Sequence, residues 1–70
     1  MAGPTGSIAR QVRDRRRSLL LTQADLAALA GCSQRFVRAV ESGKTTVRFD
    51  KLVTLLDAVG LELVTRLRDR

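Results

Sequence analysis

The stretch from Thr22 to Gly43, TQADLAALAGCSQRFVRAVESG, decides the fold of this 70-residue chain. Thr22 and Ser33 each precede a short run with helical spacing, and their hydroxyls can accept hydrogen bonds from the free backbone N–H groups that begin a helix. Gly31 and Gly43 follow the two runs, and glycine readily takes the left-handed conformation that closes a helix. The stretch therefore predicts two short helices joined by a tight turn.

The inner faces of these two helices are built from small and branched apolar residues. Leu26, Ala27 and Ala30 form a narrow stripe on the first, and Val37 and Val40 form the inner face of the second. The two alanines at the joint let the helices cross closely. This is the layout of a helix-turn-helix, whose second helix enters the major groove of DNA.

The stretch resembles the Cro/XRE-type helix-turn-helix of phage repressors and their relatives. The residues that carry the resemblance are Thr22-Gln23, Leu26-Ala27, Gly31, Ser33-Gln34, Val37 and Glu41-Ser42-Gly43-Lys44. With Arg48-Phe49-Asp50 and Gly60-Leu61-Glu62-Leu63 added, the pattern is more narrowly similar to the HipB-type antitoxins, over about residues 8 to 67. The resemblance implies a compact, all-α, lambda-repressor-like domain of four helices, followed by a C-terminal β-strand that pairs across a homodimer.

Composition narrows the classes of function. The chain has 13 Lys and Arg against 7 Asp and Glu, a net charge of +6. Such a balance suits a polyanion such as DNA, although a merely soluble basic domain fits it equally well. One cysteine and no histidine exclude an internal disulfide, a His-containing zinc site and a His-based triad. We expect neither an enzyme nor a cofactor, and, without a membrane span or signal peptide, a cytoplasmic, nucleoid-associated protein.

Three segments are expected along the chain. Residues 1–6 contain the only proline and two glycines and predict a disordered lead. Residues 7–60 form the DNA-binding domain, and residues 61–70 form a dimerisation tail. Inside the domain, apolar spacing predicts a first helix over about 8–19 and a fourth over about 49–59.

Five residues raise specific questions about packing. Phe49 is expected to fill the core. Phe36 is expected to pack inward against Phe49, and contact with a thymine methyl is the alternative. Leu20 stands where the resembled family usually has glycine, so either a left-handed leucine is strained there or the first helix ends differently. Leu29 is an exposed leucine or part of a partner contact, and Cys32 is interpreted as a half-buried filler of the turn.

Seven polar or basic residues are predicted to contact DNA, and they lie at or just before the start of one of the two helices, farther along the second helix, or in the loop that follows it. They are Gln23, Ser33, Gln34, Arg35, Arg38, Lys44 and Thr45. Gln34 can bond bidentately to adenine and Arg35 to guanine, while Arg38 shares the face of Arg35. The other four suit phosphate contacts, which position a protein without reading sequence. For Gln23 and Gln34, plain surface polarity is the alternative.

The resemblance adds two further expectations about charged and amide side chains. It implies that Gln23 and Gln34 brace one another. It also implies an ion pair between Arg16, which lies on the apolar stripe of the first helix, and Glu41; the alternative is that both are exposed. Arg13 and Arg17, on the first helix, are candidates to flank DNA.

The tail alternates apolar and polar residues from position 61 to 67, which is typical of a strand. An unpaired strand leaves its backbone groups without partners, and antiparallel pairing with a second copy would satisfy them. The predicted dimer contacts are Leu61, Leu63, Val64 and Leu67. Because Leu63 and Leu67 are also four apart, a fifth helix or a frayed end is the alternative.

Together these patterns predict a homodimeric, sequence-specific repressor that binds a palindromic operator. The resemblance to the HipB-type antitoxins implies that it serves as the antitoxin of a HipA-type kinase toxin. A stand-alone XRE-family regulator and a pure protein-interaction module are the alternatives. An RNA-binding module is disfavoured because the chain has only two aromatic residues and no stacking platform.

Overall fold

A computed structural model describes residues 4–65, which form four α-helices joined by short turns. The helices are α1 (Pro4–Ser18), α2 (Gln23–Ala30), α3 (Gln34–Glu41) and α4 (Phe49–Ala58). The predicted all-α, four-helix architecture is thereby confirmed. None of the helices in this part of the chain has the length and apolar character that a bilayer crossing requires.

The first helix begins earlier than the sequence pattern predicted. It starts at Pro4, so residues 4–6, which were expected in a disordered lead, lie in its first turn. Proline is compatible with this position because a first-turn N–H has no partner inside the helix. Residues 1–3 lie outside the described residues.

Both predicted N-caps of the helix-turn-helix are present. The Thr22 hydroxyl accepts from the backbone N–H of Asp25 at 3.0 Å, and the Asp25 carboxylate accepts from the backbone N–H of Thr22 at 2.9 Å. This reciprocal capping box lowers the pKa of Asp25, first through the backbone bond and then through the Thr22 side chain. The Ser33 hydroxyl accepts from the N–H of Phe36 at 3.0 Å. The orientation of α3 is therefore set at its first turn.

All four helices end in the same pair of backbone hydrogen bonds, in which the last residues donate back across a left-handed position. That position is Gly31 after α2, Gly43 after α3 and Gly60 after α4, but Leu20 after α1, with φ of 59°. The N–H of Leu20 donates to Arg17 and that of Leu21 to Arg16. The strained left-handed leucine considered above is therefore present, and its side chain is 90% exposed.

The hydrophobic core is made by one face of each helix. Its buried members come from all four helices and the residue that ends α4: Val12, Leu26, Ala27, Val37, Val40, Leu52, Leu55, Leu56 and Val59. Phe36 is half-buried and packs against this core, so the expected inward packing is present, but Phe49, the expected partner of Phe36, is not a member of the core. The expectation that Phe49 fills the core was wrong, since its side chain is 69% exposed. Branched residues at 52, 55, 56 and 59 already cover the inner face of α4.

The tail was predicted to be a strand, and residues 61–65 contain neither strand nor helix. Leu61 is half-buried against the core, and its N–H donates to the carbonyl of Leu56 at 2.8 Å. A strand is held by hydrogen bonds to a second strand, and the rest of the described chain is helices and turns. The predicted strand is therefore not supported within these residues, and Leu67 lies outside them.

Candidate nucleic-acid interface

The outer face of α3 carries the polar and basic residues that were predicted to meet base edges. Gln34, Arg35 and Arg38 are exposed, while Val37 and Val40 point into the core. This division follows from helical spacing, because residues three and four apart lie on one side. The three candidate base-reading side chains therefore lie together on one solvent-facing strip.

The first turn of α3 is suited to holding a phosphate beside that strip. Ser33 accepts the N–H of Phe36, which leaves its own hydroxyl hydrogen free to be donated. The N-terminal N–H groups of a helix point along its axis and favour an anion. Ser33 can thus cap α3 and donate to a phosphate at the same time.

A buried ion pair connects α1 to the end of α3. Arg16 donates from Nε to Glu41 Oε2 at 2.7 Å and from Nη2 to Glu41 Oε1 at 2.9 Å. Its remaining Nη1 donates to the carbonyl of Leu21 at 2.9 Å. The Arg16 and Glu41 side chains are only 11% and 5% exposed. The two residues that were expected to pair thus form a bidentate contact, which also holds the turn after α1.

The charge of Glu41 is kept by this network. Burial by itself raises the pKa of the Glu41 carboxyl, but hydrogen bonds from Arg16 and Gln23, aided by the charges of Arg16 and Arg13, lower it overall. The hydrogen bond to Glu41 raises the pKa of Arg16. The pair is therefore ionised at neutral pH, and the last turn of α3 stays attached to α1.

Gln23 belongs to the same network, which differs from the expectation that it braces Gln34. Its Nε2 donates to Glu41 Oε1 at 3.3 Å, and Gln34 is exposed at the other end of α3. An amide nitrogen carries two hydrogens, so one remains for a phosphate. The first residue of α2 is thus positioned by the ion pair rather than by the second glutamine.

A basic groove of about 240 Å³ lies between α3 and the loop that leads to α4. It is lined by Ser33, Arg35, Phe36, Ala39, Lys44, Thr46, Val47, Arg48 and Lys51. Four of these residues are cations. The predicted contact Lys44 is exposed in this groove, and Thr45 is exposed beside it. The groove therefore extends the strip of α3 by a surface that attracts a phosphate backbone.

Two of the groove cations, Arg48 and Lys51, were not among the predicted contacts. Arg48 precedes α4 and donates from Nη2 to Asp50 Oδ2 at 2.7 Å, which is the largest cause of the lowered pKa of Asp50. Lys51 lies in the first turn of α4. Because both residues are close to Lys44 in sequence, they could have been proposed as further contacts. Only the folded structure shows that the start of α4 lies against the groove.

In the folded structure, the arginines of α1 have different surroundings and partners. Arg13 is half-buried and its charge acts on Glu41, whereas Arg17 is exposed. Arg15 points elsewhere, because its Nε donates at 2.9 Å to the carbonyl of Val59 and so caps the end of α4. Arg13 and Arg17 therefore remain candidates to flank DNA, and Arg15 has a structural partner.

A comparison with protein families matches residues 12–65, which is 54 of the 70 residues, to the helix-turn-helix family of Cro/XRE type. The chain belongs to this family. The match extends from Val12 through α2, α3 and α4 to Thr65, so all seven predicted contacts and the Arg16–Glu41 pair fall inside it. No curated protein matches the sequence.

As a Cro/XRE-type helix-turn-helix protein, the chain is a DNA-binding regulator. In the helix-turn-helix motif the second helix is the one offered to the major groove, and α3 is the second helix of the motif in this chain. Its exposed strip and the adjoining groove carry polar and basic side chains of the kind that DNA contacts use. Double-stranded DNA is accordingly the partner that the family and the charge distribution of this surface both favour.

Proposed function

We propose that the protein is a sequence-specific transcriptional repressor that binds a palindromic operator as a homodimer. The observation that carries this proposal is the exposed strip of Gln34, Arg35 and Arg38 on a helix fixed at both ends. Ser33 caps its start and the buried Arg16–Glu41 pair holds its end. A rigid helix lets side chains meet base edges without a large loss of backbone freedom.

Each predicted contact has a proposed role. Gln34 and Arg35 read bases, since their side chains match adenine and guanine edges, and Arg38 reads a base or binds a phosphate. The other contacts hold phosphates and fix the register: Gln23 and Ser33 at the starts of α2 and α3, Lys44 and Thr45 in the loop after α3.

The homodimer is proposed because one module of this size contacts too little DNA for tight binding. Single small modules bury roughly 600–1,000 Å². Two modules related by a two-fold axis read half-sites about 34–36 Å apart, which is one turn of DNA. Leu61, Leu63, Val64 and Leu67 are proposed to join the copies. Leu63 is 40% and Val64 74% exposed, which supports a contact that the single chain leaves unmade.

We further propose that this repressor is the antitoxin of a HipA-type kinase toxin and represses its own operon. The support is the similarity of the pattern from Thr22 to Leu63 to the HipB-type antitoxins. A kinase-like reading frame directly beside this gene is expected. Co-expression of the two proteins should relieve growth arrest and give a stoichiometric complex, whereas a lone gene would favour a stand-alone regulator.

The central test is DNA binding by Arg35→Ala. We expect it to weaken specific binding by roughly 1–3 kcal/mol and to relax the preference at one base position in each half-site. Wild-type and variant proteins are titrated, at fixed salt, against single-base variants of an operator selected from random palindromes. Lys44→Ala is the matched control, since loss of a phosphate contact should weaken all sequences alike. An unchanged preference at every position would remove Arg35 from base reading.

A further inference from the structure

The basic groove beside α3 has an apolar floor, formed by Phe36, Ala39 and Val47, which line it and are each half-buried. The cations that line the same groove are exposed. Phosphate oxygens accept hydrogen bonds from polar and charged donors, and apolar side chains offer none. The groove thus presents two kinds of contact, and the phosphates of DNA match only the charged one.

The floor continues into a second, smaller space beside the core. This cleft of about 20 Å³ is lined by Ile8, Val40, Lys44, Val47 and Leu52. Lys44 and Val47 line both spaces, so the cleft adjoins the groove at these two residues. Val40 and Leu52 are buried members of the core. Apolar surface therefore runs from the groove floor to the side of the core, with Val47 at the junction.

The rim of the groove has an excess of positive charge. Four cations form this rim: Arg35, Lys44, Arg48 and Lys51. Arg48 pairs with the neighbouring Asp50, and this pair is itself exposed. A hydrogen bond to a charged group is roughly twice as strong as one between neutral groups. The rim therefore favours an anionic group, and the apolar floor beside it favours a group without charge.

We propose that the groove binds a small aromatic phosphate, with its ring on the floor and its phosphate among the rim cations. Ligand pockets usually have volumes of about 300–1,000 Å³, so a groove of about 240 Å³ suits a ligand at the small end of that range. The ring of Phe36 offers the ligand ring an offset or edge-to-face contact.

A ligand in this groove competes with DNA for the same side chains. Arg35 and Lys44 line the groove and are also proposed to contact the operator. A phosphate bound between them takes donors that the operator needs, so the ligand acts as an effector that releases the repressor from DNA. This effector role rests on the proposed function, whereas binding of the ligand to the groove does not.

The first experiment measures ligand binding to the full chain by titration calorimetry, at fixed ionic strength and at a pH where both phosphates used are dianions. The probe is phenyl phosphate, while inorganic phosphate and phenol supply the charge and the ring separately. We expect phenyl phosphate to bind about tenfold more tightly than inorganic phosphate, since burial of about 60 Å² of apolar surface corresponds to that factor. Phenol should show no saturable binding. Equal affinities for the two phosphates would overturn the proposal.

Two substitutions test the two parts of the groove separately. Val47→Thr adds a hydroxyl to the floor with little change of shape, so it should remove most of the preference for phenyl phosphate. Lys51→Gln should weaken both phosphates by a similar factor, and because Lys51 is exposed this variant tests the site even if Val47→Thr does not fold. The matched controls are Val53→Thr and Arg10→Gln, at exposed positions that do not line the groove. A preference that survives in folded Val47→Thr protein, or phosphate binding unaffected by Lys51→Gln, would overturn the proposal.

Operator titrations distinguish this proposal from the proposed function. With phenyl phosphate at about ten times its dissociation constant, the apparent dissociation constant of the wild type for the operator should rise about tenfold. The same concentration should raise that of Val47→Thr by about twofold. An operator complex that is insensitive to bound phenyl phosphate would overturn the effector role. A protein that binds phenyl phosphate in the groove but binds no operator would refute the proposed function alone.

Discussion

Two arginine–carboxylate pairs in this protein have the same 2.7 Å separation and opposite surroundings. Arg16 and Glu41 are 11% and 5% exposed, lie 25 residues apart in sequence and join α1 to α3. Arg48 and Asp50 are 69% and 66% exposed and lie two residues apart at the start of α4. Distance alone therefore says little about what an ion pair contributes.

The two pairs differ in how well each separated charge is solvated once the pair is broken. A buried carboxylate without its partner keeps its charge in a poorly solvated site, which is strongly unfavourable. An exposed arginine regains water, or binds a phosphate, at little loss. The Arg16–Glu41 pair thus holds the fold, and Arg48 is available to DNA.

The largest expected effect is on the buried pair. Glu41→Gln and Arg16→Met should each lower the free energy of unfolding by about 3–5 kcal/mol, because each leaves one buried partner unpaired. The double variant should lose less than the sum of the two. Thermal and urea unfolding measure these changes, with Arg17→Met as the exposed neighbouring control. Small and additive losses would contradict the strong coupling of the pair.

Acid should weaken the buried pair, because protonation of the Glu41 carboxylate removes its charge. The pKa of Glu41 is lowered in the folded protein, so its contribution is complete above the ordinary glutamate pKa of about 4.3. That contribution is lost as the pH falls through the lower, folded value. The unfolding midpoint of the wild type should therefore fall more between pH 6 and about pH 3 than that of Glu41→Gln. Glu62→Gln, at an exposed position, should follow the wild type.

A substitution in the turn that Arg16 holds should change the free energy of unfolding by a smaller amount and in the opposite direction. Leu20 has φ of 59° and is 90% exposed, so Leu20→Gly removes backbone strain without emptying the core. Relief of about 1–2 kcal/mol, less the added freedom of glycine in the unfolded chain, should stabilise the protein by about 0.5–1 kcal/mol. Leu19→Gly, one residue earlier and without the positive φ, should destabilise it. A destabilised Leu20→Gly protein would mean that the exposed leucine makes a favourable contact.

The smallest effect on stability is expected at the exposed pair. Arg48→Ala and Asp50→Asn should leave the unfolding midpoint within the scatter of replicate measurements. Their effects on DNA should differ in sign. Arg48→Ala should weaken binding to all sequences and reduce the salt slope by about 1, whereas Asp50→Asn, which releases Arg48, should strengthen binding. Equal behaviour of the two variants in the DNA titration would show that Arg48 contacts no phosphate.

Local chemistry was sufficient to predict the helix-turn-helix. Thr22 and Ser33 cap their helices because a hydroxyl beside a free N–H needs no distant partner. Gly31, Gly43 and Gly60 end their helices because glycine adopts the left-handed conformation without steric strain. The spacing of Val37 and Val40 placed Gln34, Arg35 and Arg38 on the outer face for the same reason. The residues proposed to read DNA therefore follow from periodicity and from the family resemblance.

What only the tertiary structure decided depends on residues that are far apart in sequence. Apolar character alone placed Phe49 in the core, but neighbouring branched residues fill that space and Phe49 stays exposed. Sequence spacing could not assign Gln23 to Glu41, or Arg15 to the carbonyl of Val59 44 residues away. A periodic pattern states which side of a helix is apolar, whereas the partner of each side chain is set by how the helices pack. For that reason the sequence by itself determined α3 and its exposed polar face, and the packing decided what supports that helix.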